Sequence, residues 1–350
     1  MNEIFVKSLP LKDVIANIAE ALDTTYFNRC NEYILNIPEI YGEGSIRGIN
    51  FLNGFGLIEY NCTLKEALKI HFNVNSIHPL KFIYCSKGSV KHKFEEHDVL
   101  HQIEQFQNII VASTQQNGHI LIFPKNENIH LNSLEISRKE FKTKIDCDLN
   151  ILDVGLKKLF KDLTARNLFF YQGNYSLAMS DCIDTIKTSK FSGIARSLFL
   201  EGKSNEILSI QISDYEDDKK DIPKRQILRK SELVQIQKAV QILKSELSKP
   251  LTIKELANKV GTNPTKLQEG FRYNFGLTVN NYLNKIRLDY AKEQIMIGEL
   301  NISEIANNIG IANKSYFSRL FKATFQLNPK EFSLQIAKNA NKRQRNRPLT

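Results

Sequence analysis

A pattern that occurs twice constrains this chain more than any other feature. Residues 251–261 read LTIKELANKVG and residues 300–310 read LNISEIANNIG, with six of eleven positions identical at an offset of 49. The second copy then carries one extra residue, after which Leu267, Phe271, Phe275, Leu277 and Tyr282 correspond to Phe317, Phe321, Phe325, Leu327 and Phe332. Self-similarity at a fixed period marks a repeated structural unit. Each copy reads as two short helices around a tight turn. Thr252 with Glu255, and Asn301 with Glu304, have the spacing of a capping box. The first helices present Leu256, Ala257 and Val260, or Ile305, Ala306 and Ile309, as apolar stripes. Gly261 and Gly310 stand where a left-handed residue ends a helix. Asn263-Pro264 and Asn313 open the second helices as N-caps, the first with proline at the leading helical position. This is a helix-turn-helix pattern written twice.

Between the copies, Val279, Leu283, Ile286 and Tyr290 recur at helical spacing over residues 279–297. A helix of that length spans roughly 28 Å at about 1.5 Å per residue. That approximates the repeat of B-DNA, about 34 Å, so two recognition helices tied to its ends suit successive major grooves on one face of a duplex.

The charge agrees with this reading. Of a formal net charge of +10, the first 230 residues contribute nothing, with 29 Lys and Arg against 29 Asp and Glu; residues 231–350 hold 19 against 9. A neutral body joined to a basic module points to a polyanion, with nucleic acid foremost. No apolar run approaches the length that spans a bilayer, and the start, MNEIFVKSLPLKD, lacks the apolar core of a signal peptide. The five cysteines, Cys30, Cys62, Cys85, Cys147 and Cys182, are dispersed and form no C-x-x-C pair. That suits a reducing cytosol and argues against a zinc finger. No phosphate-binding loop, zinc-protease, nucleophile-elbow or dinucleotide motif occurs. The expected localisation is cytoplasmic, with no enzyme activity, no cofactor and no metal.

Residues 232–338 resemble the DNA-binding domain of AraC/XylS-type bacterial transcription regulators, most of all through SYFSRLFKATFQLNPKEF at 315–332, and A-x-x-x-G at Ala257–Gly261 and Ala306–Gly310 agrees. That family usually has glycine where Gln326 stands, whereas Gly276 keeps it in the first copy. Helical spacing turns Leu267 and Phe271 inward and Thr265, Lys266, Gln268, Glu269 and Arg272 outward. The resemblance makes Thr265, Gln268 and Glu269 base-facing. Glu269 either accepts from cytosine N4 or is a solvent-exposed helix acid. In the second copy Phe317 and Phe321 turn inward, and the resemblance makes Lys314, Ser315, Tyr316 and Arg319 groove-facing. Arg319 either pairs with guanine, holds a phosphate, or serves the scaffold. Lys266, Arg272 and Lys322 are expected on phosphates. The tail KRQRNR (342–347) reads as a disordered, salt-sensitive anchor.

The neutral part is strand-rich over 45–136. KFIYCS and SVKHKF flank Lys87-Gly88, and IIVAST and HILIFP are separated by QQNG, whose Asn117-Gly118 is a hairpin signal. Ile70, Phe72 and Val74 alternate with Lys69, His71 and Asn73 as in a half-buried strand. Helical patterns follow near 150–163, 176–189 and 193–213. The last carries Ile194, Leu198, Leu208 and Ile212 in a broken stripe suited either to dimerisation or to packing on the strands. Residues 214–230, dense in charge and containing Pro223, read as a linker.

The expected fold is therefore two-domain α+β: an N-terminal small β-barrel, cupin-like, with helices, and a C-terminal all-α domain with two helix-turn-helix motifs joined by a long helix. The expected divisions are an effector-binding or dimerisation domain at 1–213, the linker, a DNA-binding domain at 231–338 with motifs at 252–275 and 301–325, and a basic tail at 339–350. All seven histidines fall between His71 and His130, yet no H-x-H pair occurs. His92 shares a strand face with Val90 and Phe94 and so points inward. Phe82, Tyr84, His92 and Phe94 are candidates to line an effector pocket, and equally suit a plain core.

The expected function is a sequence-specific transcription regulator, ligand-responsive and activating, reading two successive major grooves. Alternatives are a metal-dependent cupin-type enzyme fused to a DNA-binding domain, and a non-specific architectural DNA protein. LFLEGKSNEILSIQI (198–212) and FLNGFGLIEY (51–60) also resemble the pyochelin-regulator branch, which suggests a siderophore complex as effector. The other expected partners are operator DNA, a second copy in a homodimer, and RNA polymerase where the protein activates, with no membrane.

Overall fold

A computed structural model describes residues 2–74, 76–145, 151–219, 230–249, 251–311 and 313–336. The chain divides into two compact units, Met1–Lys230 and Ser231–Thr350. The first unit opens with β1 (Asn2–Val6), α1 (Leu11–Ala21), β2 (Tyr26–Arg29), β3 (Glu32–Asn36), β4 (Gly42–Asn50), β5 (Phe55–Leu64) and β6 (Leu68–Phe72). It continues with β7 (Leu80–Lys87), β8 (Val90–Phe94), β9 (His101–Ile103), β10 (Gln107–Ala112), β11 (His119–Phe123) and β12 (Asn128–Ile136). It closes with α2 (Arg138–Ile145), α3 (Val154–Lys161), β13 (Phe169–Tyr175), α4 (Ser180–Thr188) and α5 (Gly193–Lys219). The second unit is helical: α6 (Lys230–Ser245), α7 (Ile253–Val260), α8 (Pro264–Phe275), α9 (Val279–Ile297), α10 (Ile302–Asn308) and α11 (Lys314–Phe325).

The strands form two sheets, one of five in the order β1-β6-β11-β8-β9 and one of eight in the order β13-β10-β7-β12-β5-β4-β3-β2. Alternate residues of both sheets meet in one apolar core. Ile70 and Phe72 of β6, Val90 and Phe94 of β8, and Leu121 and Phe123 of β11 share it with Ile58 and Tyr60 of β5, Ile83 and Cys85 of β7, and Val111 of β10. The α1 helix adds Leu11, Val14, Ile15 and Ile18. The eight-stranded sheet is also covered on its other face, where the Phe82 ring lies 6.2 Å from Phe160 of α3 and Phe55 lies 5.7 Å from Phe141 of α2. There the Tyr84 hydroxyl donates to Ser176 O at 2.9 Å.

Three local expectations need correction. The segments flanking Lys87-Gly88 do not form a hairpin: β7 pairs with β10 and β12, while β8 pairs with β9 and β11. Nor do the strands flanking Asn117-Gly118, since β10 lies between β7 and β13 and β11 lies between β6 and β8. Each turn carries the chain from one sheet to the other. Glycine at 118 answers a close approach, because a Cβ there would lie 2.2 Å from the carbonyl oxygen of Phe72. Asn117 is buried and its Oδ1 accepts from the N–H of Glu96 at 3.1 Å. Turn residues signal tight backbone geometry, and tertiary pairing decides whether that geometry closes a hairpin.

The third correction concerns the stretch expected to be a linker from residue 214. Helix α5 continues through it to Lys219, and residues 220–229 lie outside the described residues, as does the basic tail. Its charges have specific partners on the sheet: Asp218 accepts from Tyr171 and Asn174, and Asp214 accepts from Asn108 at 3.4 Å. Tyr215 between them is buried. Dense charge therefore marks a helix edge clasped to polar strand residues.

Among the described residues, no helix is long and apolar enough to cross a membrane. Gly118→Ala is expected to lower stability by roughly 2 kcal/mol or more, because a backbone oxygen cannot move aside as a side chain can. Thermal unfolding of the full chain checks this, and an unchanged Tm contradicts the close approach.

Candidate nucleic-acid interface and effector site

The two helix-turn-helix motifs are built by the same local devices. Thr252 and Asn301 each form a complete capping box with Glu255 and Glu304. The side chains of Asn263 and Asn313 each accept at 2.9 Å from the backbone N–H three residues on, Lys266 and Tyr316 respectively. Such caps satisfy N–H groups that a helix leaves without internal partners. They fix where α8 and α11 begin, and so which residues stand at their leading ends.

Helix α9, 19 residues long, belongs to both motifs. Its first half supplies Tyr282, whose ring lies 5.3 Å from Phe271 and 4.6 Å from Phe275 of α8. Its second half supplies Leu288, Ala291 and Ile295 to a cluster with Ile305, Ala306, Ile309, Ile311, Phe317 and Phe321. One helix thereby holds the two recognition elements together; the apolar spacing predicts the helix, but of Val279, Leu283, Ile286 and Tyr290 only the first two are buried.

The outward faces of α8 and α11 are polar. Thr265, Lys266, Glu269 and Arg272 are exposed on α8, as are Lys314, Ser315, Tyr316, Arg319 and Lys322 on α11. The Arg319 guanidinium lies 5.6 Å from the centre of the Tyr316 ring, which holds the two side chains together. Two residues have further partners that the repeat does not reveal. Gln268 is half-buried and its Oε1 accepts from the N–H of Val279 at 3.2 Å, so the carbonyl end of its side chain is spent at the start of α9. Lys266 pairs with Glu232 of α6 at 3.0 Å.

At the departure from the family pattern, Gln326 has φ +64°, against +66° at Gly276 in the first copy. Both follow their helices as left-handed C-caps, with the N–H of each bonded to the carbonyl four residues back. The turn is thus the same in both copies, and glutamine carries the backbone cost that glycine avoids.

A cleft of about 390 Å³ opens between α9 and the second motif. Asn280, Leu283, Asn284 and Arg287 form its α9 wall, and Asn313 and Tyr316 stand opposite. The Nε of Arg287 donates to Leu247 O at 2.9 Å, and burial lowers its pKa from the ordinary arginine value. Sequence reasoning missed this polar face of α9, although its positions i, i+3, i+4 and i+7 carry the helical signature.

In the first unit the four residues expected to line one pocket do not come together. His92 and Phe94 face the space between the sheets, their rings 5.1 Å apart, whereas Phe82 and Tyr84 lie on the opposite face of the eight-stranded sheet, against α3 and α4. The inward residues of β7 are Lys81, Ile83 and Cys85, one position away. Both faces of β7 are buried, so the apolar run carries no alternation from which to read the inward parity.

What gathers around His92 is another set of rings. Phe170 of β13 lies 5.2 Å from it, His119 5.6 Å and His101 6.0 Å, and His101 stacks on Phe170 at 3.7 Å. Burial pushes the His92 imidazole down to about 3 and holds His119 well below the ordinary histidine value; it also lowers His101. These rings are therefore neutral at physiological pH. Beside them Lys81, under the same sheet, is paired with Glu135 and lies 4.2 Å from the Phe72 ring. A separate charged cluster joins Glu32 to Arg196 of α5 at 2.7 Å and to Arg47 at 3.2 Å, with Arg47 also 3.0 Å from Glu59.

Comparison with known proteins bears on both units. The family of the regulatory protein PchR N-terminal domain matches residues 43–225, and a helix-turn-helix domain family matches residues 256–335. Regulatory protein PchR of Pseudomonas aeruginosa is 32% identical over 125 residues, 36% of this chain and 42% of that protein. Regulatory protein PocR of Salmonella typhimurium is 29% identical over 105 residues, 30% of this chain and 35% of that protein. The chain thus spans less than half the length of these two relatives. The structure of ToxT from Vibrio cholerae aligns with 81% of this chain and 98% of its own at 19% identity, with a TM-score of 0.30.

The pair of C-caps supplies a stability prediction. Gln326→Gly is expected to stabilise the second unit by about 0.5–1 kcal/mol, and Gly276→Ala to destabilise it by about 1 kcal/mol. Denaturant unfolding of the two variants checks the opposite signs, and equal signs contradict the shared left-handed turn.

Proposed function

The chain belongs to the AraC/XylS-type regulators, in the branch that shares the PchR N-terminal domain, and from that premise we propose that it is a sequence-specific, ligand-responsive DNA-binding regulator of transcription. One observation carries the proposal: two capped recognition helices with exposed polar faces, each packed against one half of the same α9 helix. That arrangement supports insertion of α8 and α11 into successive major grooves on one face of a duplex.

In this reading Thr265 and Glu269 of α8 and Lys314, Ser315, Tyr316 and Arg319 of α11 meet base edges. Gln268 contributes through its amide N–H alone, since its oxygen is engaged by Val279. Arg319, steadied by Tyr316, is suited to bidentate contact with guanine. Arg272 and Lys322 hold phosphates, and Lys266 does so on leaving Glu232. The nine acidic residues among the last 120 leave a surplus of ten positive charges to meet the polyanion.

The first unit is the proposed sensor of a small-molecule effector. An effector acts by binding one conformation of the protein more tightly than another, which shifts a population without chemistry at the protein. The sandwich interior around His92 supports this role better than the face around Phe82 and Tyr84, which is occupied by packed helices.

Arg319→Ala is expected to weaken binding to the cognate operator at least ten-fold while leaving random duplex nearly unaffected. Lys322→Ala is expected to weaken both alike and to reduce the slope of log K against log salt by about 0.9. Fluorescence anisotropy on operator and random duplexes over a salt series reads all of these. Equal losses for Arg319→Ala assign that residue to the DNA backbone, and a wild-type protein without operator preference contradicts the regulator reading.

A further inference from the structure

His92 is completely buried, and among the described residues neither of its ring nitrogens has a hydrogen-bond partner. His119 next to it is also buried; its Nδ1 meets Ser113 Oγ at 3.1 Å, but its Nε2 has no partner. Buried polar atoms are ordinarily paired, because leaving one without a partner costs the whole of its lost hydration. A leucine in the place of His92 would fill the same space without that cost. The imidazole therefore needs a reason beyond packing.

Its surroundings supply one. An open groove of about 280 Å³ lies beside it, lined by Phe94, His97, Val99, His101 and residues 168–170. Phe94, His101 and Phe170 also touch the His92 ring, so the stacked pair His101–Phe170 forms the partition between the groove and the two unpartnered nitrogens. His101 and Phe170 are both only partly buried, and Val99 at the mouth is 61% exposed. Access to the nitrogens requires His101 and Phe170 to part.

We infer that this end of the sandwich binds a neutral, planar aromatic compound of one or two rings bearing a hydroxyl or a ring N–H, stacked on Phe170 and hydrogen-bonded to His92. The inference rests on the effector-sensing reading above and names the ligand class for it. Flatness follows from the stacking on Phe170, which lies 3.7 Å from His101 and 5.2 Å from His92 at interplanar angles of 17° and 20° and suits another ring in the same orientation. Neutrality follows from the charges: the facing imidazoles are uncharged, and the nearby Lys81 is already paired with Glu135. An ion on His92 would lose hydration against uncharged imidazoles, with Lys81 already paired. The hydroxyl or N–H follows from His92, since a neutral imidazole offers one donor and one acceptor. The size follows from the groove, whose volume of about 280 Å³ falls just below the usual range of small-molecule sites.

The chain contains no tryptophan but twelve tyrosines, so the fluorescence of 2-naphthol or indole, excited to the red of the tyrosine band, can be read with little protein background. Titration of the full-length protein with these two probes is expected to saturate below millimolar concentration. His92→Leu is expected to keep or raise Tm, since it removes two unpartnered atoms, and to weaken probe binding at least ten-fold. Absence of saturation by both probes with folded wild-type protein overturns the inference, as does unchanged affinity in His92→Leu. Should that variant fail to fold, the imidazole C–H resonances of the wild-type protein decide: 2-naphthol is expected to shift those of His92 and His101 and leave His130 unmoved, and a spectrum without selective shifts overturns the site. Operator binding measured on the same preparation separates the two readings. Probe binding lost with operator binding intact removes the ligand class alone, whereas operator preference lost with probe binding intact removes the regulator reading alone.

Discussion

Seven consecutive residues of β7, Leu80–Ser86, are buried, and the first unit is organised by the need to cover this strand from both sides. It lies inside the eight-stranded sheet between β10 and β12. Its odd-numbered side chains require the five-stranded sheet above them, and its even-numbered side chains require α3 and α4 below. The charges that this sheet buries, Glu32, Glu59, Lys81 and Glu135, are paired within the fold. Lys81 is held by Glu135 on the neighbouring strand, and Glu32 is held by both Arg47 and Arg196. Such pairs add little net stability, but loss of one partner strands the other charge in a poor solvent. They act mainly as constraints on register and on the seating of α5.

The two helix-turn-helix motifs and the helix joining them were legible in the sequence, because every device that builds them is local; helix α6 was not read. A capping box spans four residues and a C-cap one, and the apolar stripe of α9 repeats within two turns. The bounds expected for α9 coincide with the observed helix, Val279–Ile297. What escaped detection there were contacts made across the unit, such as Gln268 on Val279 and Lys266 on Glu232. At Gln326 the sequence departs from the pattern while the backbone does not: glutamine takes the left-handed turn, with its N–H bonded to Lys322 O, that glycine would adopt more cheaply.

The first unit was less legible for the opposite reason. Its strands pair mostly with distant partners, and its turns change sheets. At Asn117-Gly118 the local signal was read correctly as a tight turn and wrongly as a hairpin, since nothing within four residues encodes whether the chain turns back on its own strand or crosses to the facing one. The pocket around Phe82 and Tyr84 failed through parity. On a strand buried on both faces, hydrophobicity does not distinguish inward from outward, and a shift of one residue exchanges the faces. His92 could be placed inward because Lys91 and Lys93 break the run on either side of it. Strand β13, which supplies Phe170, had no alternating pattern to announce it.

That strand joins what the two faces do. Phe170 and Tyr171 are neighbours in sequence and point to opposite sides of β13, as successive strand residues must. Phe170 turns inward and stacks on His92 and His101. Tyr171 turns outward, packs against Tyr215 of α5 with ring centres 4.7 Å apart, and donates its hydroxyl to Asp218. Asn174 of the same strand holds the other oxygen of Asp218 at 3.0 Å. At its other end α5 is fixed by Arg196 to Glu32, a charge-assisted bidentate pair that resists displacement. Its C-terminal end is thus held by an edge strand, and that strand carries on its inner face the ring that partitions the groove from His92. A ligand that moved Phe170 would strain the strand at Tyr171 and Asn174, where the end of α5 is bound, before it disturbed the anchored beginning. Edge strands have one neighbour and shift at lower cost than central ones, so β13 is the element of this sandwich best placed to turn occupancy of the interior into a displacement at Lys219.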